Sequence, residues 1–188
     1  MKNVGLFFGS FNPIHIGHLI VATQLKSAAN LDEVWFVVSP HSPFKPQSEL
    51  AAEDLRLEWV KKSVANTSFL KTCDLEFKLP KPSYTYLTLE KLHELYDHHF
   101  HLIMGLDTLQ SLPDWRNAID FMNKYPIHVY QRGGFYNITN AIAKNIVMHN
   151  LPLLDISASF IRAQVLAKKP INFMVDVSIL DAVEAYYR

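Results

Sequence analysis

The sequence predicts an α/β fold in which a mostly parallel sheet carries helices on both faces. Short apolar runs rich in β-branched and aromatic residues alternate with longer stretches of helical composition. The runs are apolar almost throughout, as strands buried on both faces require. Their separation leaves room for right-handed crossovers between parallel neighbours.

In order, residues 4–8 read as a buried strand closed by Gly9, and residues 19–29 as a helix. Residues 34–38 form a second strand that stops at Ser39 and Pro40. A helix is expected over 53–66 and a looser strand over 69–77. Over 84–96, Leu89, Leu92 and Tyr96 share one helical face. Residues 100–104 give a strand closed by Gly105, followed by strands at 127–130 and 146–148. Helices over 157–168 and 176–187 finish the chain, the second with Asp176 as its N-cap. No linker, repeat or low-complexity segment divides the chain, so one domain over 1–188 is expected. Residues 40–46 are a proline-rich loop.

The charge balance narrows the function. Lys plus Arg and Asp plus Glu each number 18. That argues against a nucleic-acid partner but leaves room for a small phosphate ligand, which needs only a few placed donors. The single cysteine, Cys73, permits no intramolecular disulfide, which suits a reducing compartment; with no cationic partner in sequence it is not expected to be a catalytic thiol. The first apolar run is broken at Gly9 and Ser10, too early for a signal peptide, and no uncharged apolar stretch approaches the roughly 20 residues that span a bilayer. A cytoplasmic protein with no membrane partner is expected. No metal site is expected either, the Asp97–His101 cluster being read as a polar loop.

In parallel sheets the ligand sits beyond the C-terminal strand ends, so the residues after each strand matter most. Gly9-Ser10-Phe11-Asn12-Pro13-Ile14-His15-Ile16-Gly17-His18 follows the first strand and opens the first helix. Gly9 allows a tight turn, and free N–H groups at the helix start favour a phosphate. His15 and His18 are three apart and fall on one face, where imidazoles can donate to oxygens that gain charge during group transfer. Gly17 is read as leaving room for a base or sugar. Near the other end, Ile156-Ser157-Ala158-Ser159-Phe160-Ile161-Arg162 offers a capping serine, a second hydroxyl and an arginine one turn on. That combination suits a second anion site.

Together these motifs resemble the HxGH-containing nucleotidyltransferases, whose members share a Rossmann-like sheet, transfer a nucleotidyl group from a nucleoside triphosphate and release pyrophosphate. Within them the chain is similar to bacterial nicotinate-nucleotide adenylyltransferase. Pro82-Ser83-Tyr84-Thr85 is similar to that family's Ser-Tyr-Thr segment. Met104-Gly105-Leu106-Asp107, followed by Leu112-Pro113-Asp114-Trp115, resembles its Gly-x-Asp and aromatic segment; Gln131-Arg132-Gly133-Gly134 resembles its Arg-Pro-Gly loop. The chain departs from the pattern at Phe8, Ser10 and Asn12, where Gly, Thr and Asp are common, at Ser159 in place of Thr, and at Ser39-Pro40-His41 in place of an Asn-containing segment.

The resemblance implies NAD biosynthesis from ATP and nicotinic acid mononucleotide, with Mg²⁺ carried on ATP. It implies that Gly9, Ser10, Phe11, His15, His18, Gly105, Asp107, Ile156, Ser157, Ser159 and Arg162 bind ATP, with His15, His18, Lys45 and Arg162 acting on its phosphates. Thr85, Asp107 and Trp115 would hold the mononucleotide. The alternatives are pantetheine-phosphate adenylyltransferase, whose chains are shorter and lack the Ser-Tyr-Thr and Trp segments, and a sensor that binds nucleotides without turnover.

Overall fold

The computed structural model describes residues 1–43, 46–130, 145–152 and 155–188. Its strands are β1 (Asn3–Gly9), β2 (Glu33–Val38), β3 (Leu70–Cys73), β4 (His99–Gly105), β5 (Ile127–Tyr130) and β6 (Ile146–His149). They lie side by side in the order β3-β2-β1-β4-β5-β6, and every neighbouring pair is parallel. The helices are α1 (Ile16–Ala28), α2 (Glu53–Val64), α3 (Thr85–Leu95), α4 (Leu106–Ser111), α5 (Ala118–Lys124), α6 (Ala158–Leu166) and α7 (Leu180–Tyr187). This is the Rossmann-like arrangement that the sequence implied.

The pleat sorts each strand's side chains into two cores. Phe7, Phe36 and Ile103 face one core with Leu25 of α1, Trp59 of α2, Ile161 of α6 and Val183 of α7. Leu6, Val37 and Leu102 face the other with Leu92 of α3, Leu109 of α4 and Ala118 of α5. Both faces of the sheet are therefore covered, which explains why the strands read as continuous apolar runs. The chain leaves β1 toward β2 and β3, then returns to β4 on the opposite side of β1. That reversal opens a crevice at the C-terminal ends of β1 and β4.

Several expected boundaries move. The strand expected over 69–77 ends at Cys73, and a 3₁₀ turn takes Leu75–Lys78. Leu75 and Glu76 are consecutive and both buried, which an alternating strand cannot provide. Asp176 caps the 3₁₀ turn Val177–Ile179 by accepting from the Ser178 N–H, and α7 begins only at Leu180. Helix α4 was not foreseen; its six residues are too few to show a period.

β4 begins at His99, one residue before the strand expected over 100–104, so the last three residues of the Asp97–His101 cluster lie in a strand rather than in a polar loop. There His101 begins a chain of imidazoles across the sheet: His101 Nδ1 lies 2.9 Å from His128 Nε2, and His128 Nδ1 lies 2.9 Å from His149 Nε2. Both ring nitrogens of His128 are thus engaged, and the ring is 6 % exposed. Burial, then the neighbouring His101 and His149, lowers its pKa to about 4. Burial lowers His101 and His149 as well. A base whose folded pKa lies below its unfolded value stabilises the fold above the unfolded pKa and loses that contribution as pH falls through the folded one. Relative to His128→Leu, the wild type should therefore lose about 3 kcal/mol of stability between pH 7 and pH 4. Chemical denaturation at several pH values checks this. Parallel curves for the two proteins would mean that His128 is not held neutral.

Candidate active site

The crevice is a continuous cleft with two lobes. Phe8, Gly9, Ser10, Thr85, Asp107, Thr108 and Trp115 are shared by both. One lobe is walled by His15, His18, Ser157, Ser159 and Arg162, the other by Ser83, Tyr84, Asp114 and Arg116.

The first lobe brings the two sequence motifs together. His15 is the N-cap of α1 and His18 lies one turn inside it. Their rings are tilted by 32° with centroids 3.7 Å apart. The His15 N–H donates to His18 Nδ1 at 3.2 Å. A neutral imidazole carries one proton, so with Nδ1 accepting, that proton sits on Nε2. His18 therefore offers its outer nitrogen as a donor. His15 is the more buried of the pair, at 2 % exposure.

Two glycines make room for rings of the chain itself. A Cβ on Gly17 would lie 3.0 Å from His15 Nδ1, so this glycine admits the His15 ring. A Cβ on Gly9 would lie 2.9 Å from the Phe11 ring.

The C-terminal motif closes the lobe. Ser157 caps α6, its hydroxyl accepting from the Phe160 N–H at 3.1 Å. Arg162 donates to the Asn12 carbonyl at 2.8 Å and reaches the Ser159 hydroxyl at 3.4 Å. That bond spans the chain and fixes α6 beside the HxGH loop. Ile156 is not among the cleft-lining residues; it packs on the core, with its carbonyl toward Gly17.

Asn12 is the knot beneath. Its amide donates to the Glu49 carbonyl at 2.9 Å, while its side-chain oxygen accepts from the Ala51 N–H at 2.9 Å and the Tyr187 hydroxyl at 2.6 Å. An aspartate could not make the first of these bonds, which gives Asn at this position a structural reason. Ser39 is similarly committed. Its N–H donates to Gly9, its hydroxyl to Glu76 at 2.6 Å, and its carbonyl accepts from Arg56. It is a strut between β1 and β2. Glu76, held by the Ser39 and Thr88 hydroxyls, is buried, and burial raises its pKa against their opposing effect.

In the second lobe Thr85 is the first residue of α3, so the positive end of that helix faces the cleft. Leu112–Asp114 is a 3₁₀ turn that Trp115 ends, and α5 begins at Ala118. Trp115 is partly buried against the core and lines both lobes. Arg116 stacks on the Tyr84 ring at 4.5 Å and brings a cation to this wall. Gly105 caps α4, and Asp107 stands exposed in its first turn. Lys45 and the segment 131–134 lie outside the described residues. Cys73 is away from the cleft, and burial pushes its thiol up to about 11, in keeping with an inert side chain.

Comparison with known proteins agrees with this geometry. A family model described as cytidylyltransferase-like matches residues 6–164. A Cytophaga hutchinsonii protein named "Probable nicotinate-nucleotide adenylyltransferase" is 42% identical over 177 residues, covering 94% of this chain and 92% of its own. The chain belongs to the nicotinate-nucleotide adenylyltransferase family. A Flavobacterium johnsoniae member is 39% identical over 184 residues, covering 96% and 95% of the two chains. The fold extends further. A Plasmodium falciparum nicotinic acid mononucleotide adenylyltransferase, solved in complex with NaAD, superposes with a TM-score of 0.81 at 22% identity, covering 99% of this chain and 96% of that one.

As a member of the nicotinate-nucleotide adenylyltransferase family, the chain is a nucleotidyltransferase of NAD biosynthesis. Sequence reasoning had not singled out Arg56, Glu76, Tyr187 and the Arg116 side chain at its site. Arg116 adjoins a matched motif and could have been flagged by its charge; the others lie in helices or turns with no local signal. Among the described residues no helix is long and apolar enough to cross a membrane.

Proposed function

We propose that this chain joins the AMP part of ATP to nicotinic acid mononucleotide, giving nicotinic acid adenine dinucleotide and pyrophosphate. The observation that carries this is the two-lobed cleft. A donor-rich lobe suited to a triphosphate adjoins an aromatic lobe at a helix start, suited to a flat anionic ring. The mononucleotide's 5′-phosphate oxygen attacks the α-phosphorus of ATP in line, and the bond to the pyrophosphate oxygen breaks. No covalent enzyme intermediate is needed, because alignment of reactants can supply roughly 7–11 kcal/mol of barrier lowering.

In this reading Gly9, Ser10, Phe11, His15, His18, Gly105, Asp107, Ser157, Ser159 and Arg162 hold the nucleotide, and Ile156, turned to the core, does not. His15, His18, Arg162 and Lys45 act on its phosphates, and Asp107 stands between the reactants. Thr85 donates to the nicotinate group and Trp115 stacks on its ring. Mg²⁺ arrives on ATP, held by phosphate oxygens and water. The imidazole, hydroxyl and guanidinium donors of the first lobe fit a triphosphate that brings its own cation, which would neutralise part of its charge.

The assay is pyrophosphate release with nicotinic acid mononucleotide, its amide and pantetheine phosphate in parallel. The acid should exceed the amide by at least about tenfold in kcat/KM, or 1.4 kcal/mol. The Arg116 cation and the α3 start both favour a carboxylate, whereas an amide NH₂ would face donors. Equal efficiency would sink the acid assignment. Turnover of pantetheine phosphate instead would change the acceptor, and no turnover with any of the three would leave a sensor.

A further inference from the structure

Arg56 on α2 belongs to neither motif, yet its side chain makes four hydrogen bonds beside the cleft. It is 1 % exposed. Its Nε donates to the Ala51 carbonyl at 2.9 Å, Nη1 to those of Ser10 at 2.6 Å and Ser39 at 2.8 Å, and Nη2 to that of Pro40 at 2.8 Å. Among the described residues none of its hydrogen-bond partners is a carboxylate. Burial lowers its pKa, but a guanidinium stays charged. A cation placed there is costly, and a neutral amide could brace loops without that cost.

The positions of these carbonyls suggest what the charge does. Ser10 follows β1, and Ser39 and Pro40 follow β2, so Arg56 braces the C-terminal ends of both strands. The Ser10–Phe11 peptide is trans, so drawing the Ser10 carbonyl onto Arg56 turns the Phe11 N–H away from the guanidinium, and both residues line the cleft. Phe11 has φ 46°, a left-handed conformation unfavourable for a non-glycine residue. Among the described residues the Phe11 N–H meets no acceptor.

We propose that Arg56 is a positioning residue for nucleotidyl transfer: its clamp on the Ser10, Ser39 and Pro40 carbonyls aims the Phe11 N–H at the triphosphate and sets a permanent positive charge behind that loop. This rests on the adenylyltransferase reading. Arg56 does not touch substrate. It acts through the Ser10–Phe11 peptide, and the same four bonds hold the two strand-end loops in one register. Lysine keeps the charge but has a single ammonium that cannot serve carbonyls of three segments at once.

The test pairs Arg56→Lys with Val60→Ala, a buried position on the same helix that contributes packing alone. Both full-length variants are measured for Tm, kcat and the KM of each substrate. Arg56→Lys should lose at least about tenfold in kcat, since small misplacement of a donor is costly in the transition state. Its KM for the mononucleotide should change less than about twofold, the loss residing on the triphosphate side. Val60→Ala should lower Tm while keeping kcat. In the wild-type protein, the Phe11 amide resonance should move when a non-hydrolysable ATP analogue binds. A folded Arg56→Lys with wild-type kcat overturns the proposal, as does a kcat loss in Val60→Ala that matches its loss of Tm. If Arg56→Lys does not fold, the Phe11 amide decides: no movement at saturation refutes the role. A wild-type protein that moves the Phe11 amide but releases no pyrophosphate would instead defeat the adenylyltransferase reading.

Discussion

His18→Ala is expected to lower kcat by about 100-fold, the usual cost of removing one preorganised donor from a transition state. The structure says which atom is lost. His18 Nδ1 is occupied by the His15 N–H, leaving Nε2 to donate. The ring is braced edge-on by Phe7 and Phe11, with centroids 5.8 and 5.2 Å away, so the donor is aimed before ATP arrives. Stability should fall by only about 1 kcal/mol, because the substitution removes one hydrogen bond and a half-buried ring. His18→Asn separates the two effects. Its carbonyl can still accept from the His15 N–H, but it has no donor at the distance of Nε2, so it should keep Tm and remain slow. Pyrophosphate release and thermal melts on both variants measure this. A folded His18→Ala with near-normal turnover would remove His18 from the mechanism.

Arg162→Ala should cost about 100-fold in kcat/KM for ATP, within the range for a charge-assisted hydrogen bond to an anion. One guanidinium nitrogen already serves the Asn12 carbonyl. The planar fork can hold that bond and still face the cleft, which a lysine ammonium cannot do as well. Arg162→Lys should therefore recover only part of the loss. The Asn12 carbonyl loses a donor in either variant, so Tm should fall slightly in both. Full activity in Arg162→Lys would reduce the residue to a point charge, and unchanged ATP kinetics in Arg162→Ala would take it out of the phosphate site.

The local sequence carried much of this. The parallel sheet was readable because strands covered on both faces must be apolar at successive positions, as in residues 34–38. The turn after β1 was readable because Gly9 and the spacing of His15 and His18 are local features. Ser157 was readable as a cap because an N-cap bond spans three residues. The end of β3 was less accessible. It depends on Glu76 turning inward to meet Ser39 and Thr88, partners that lie in other elements.

By itself, the sequence determined the fold class, the strand-turn-helix that carries the histidines, and the family whose chemistry fits them. The first two rest on periodicity or on contacts between residues a few positions apart, and the third on the resemblance of motifs matched along the chain. Only the tertiary structure decided what surrounds the site. Arg162 meets Asn12 across 150 positions and Tyr187 meets it across 175. Arg56 finds carbonyls in separate loops, and the imidazole chain links three strands. A buried guanidinium and a solvated one look identical in a helix written as letters. The partners that distinguish them are brought together only when the strand order reverses at β1 and the crossovers bring distant loops to the same edge.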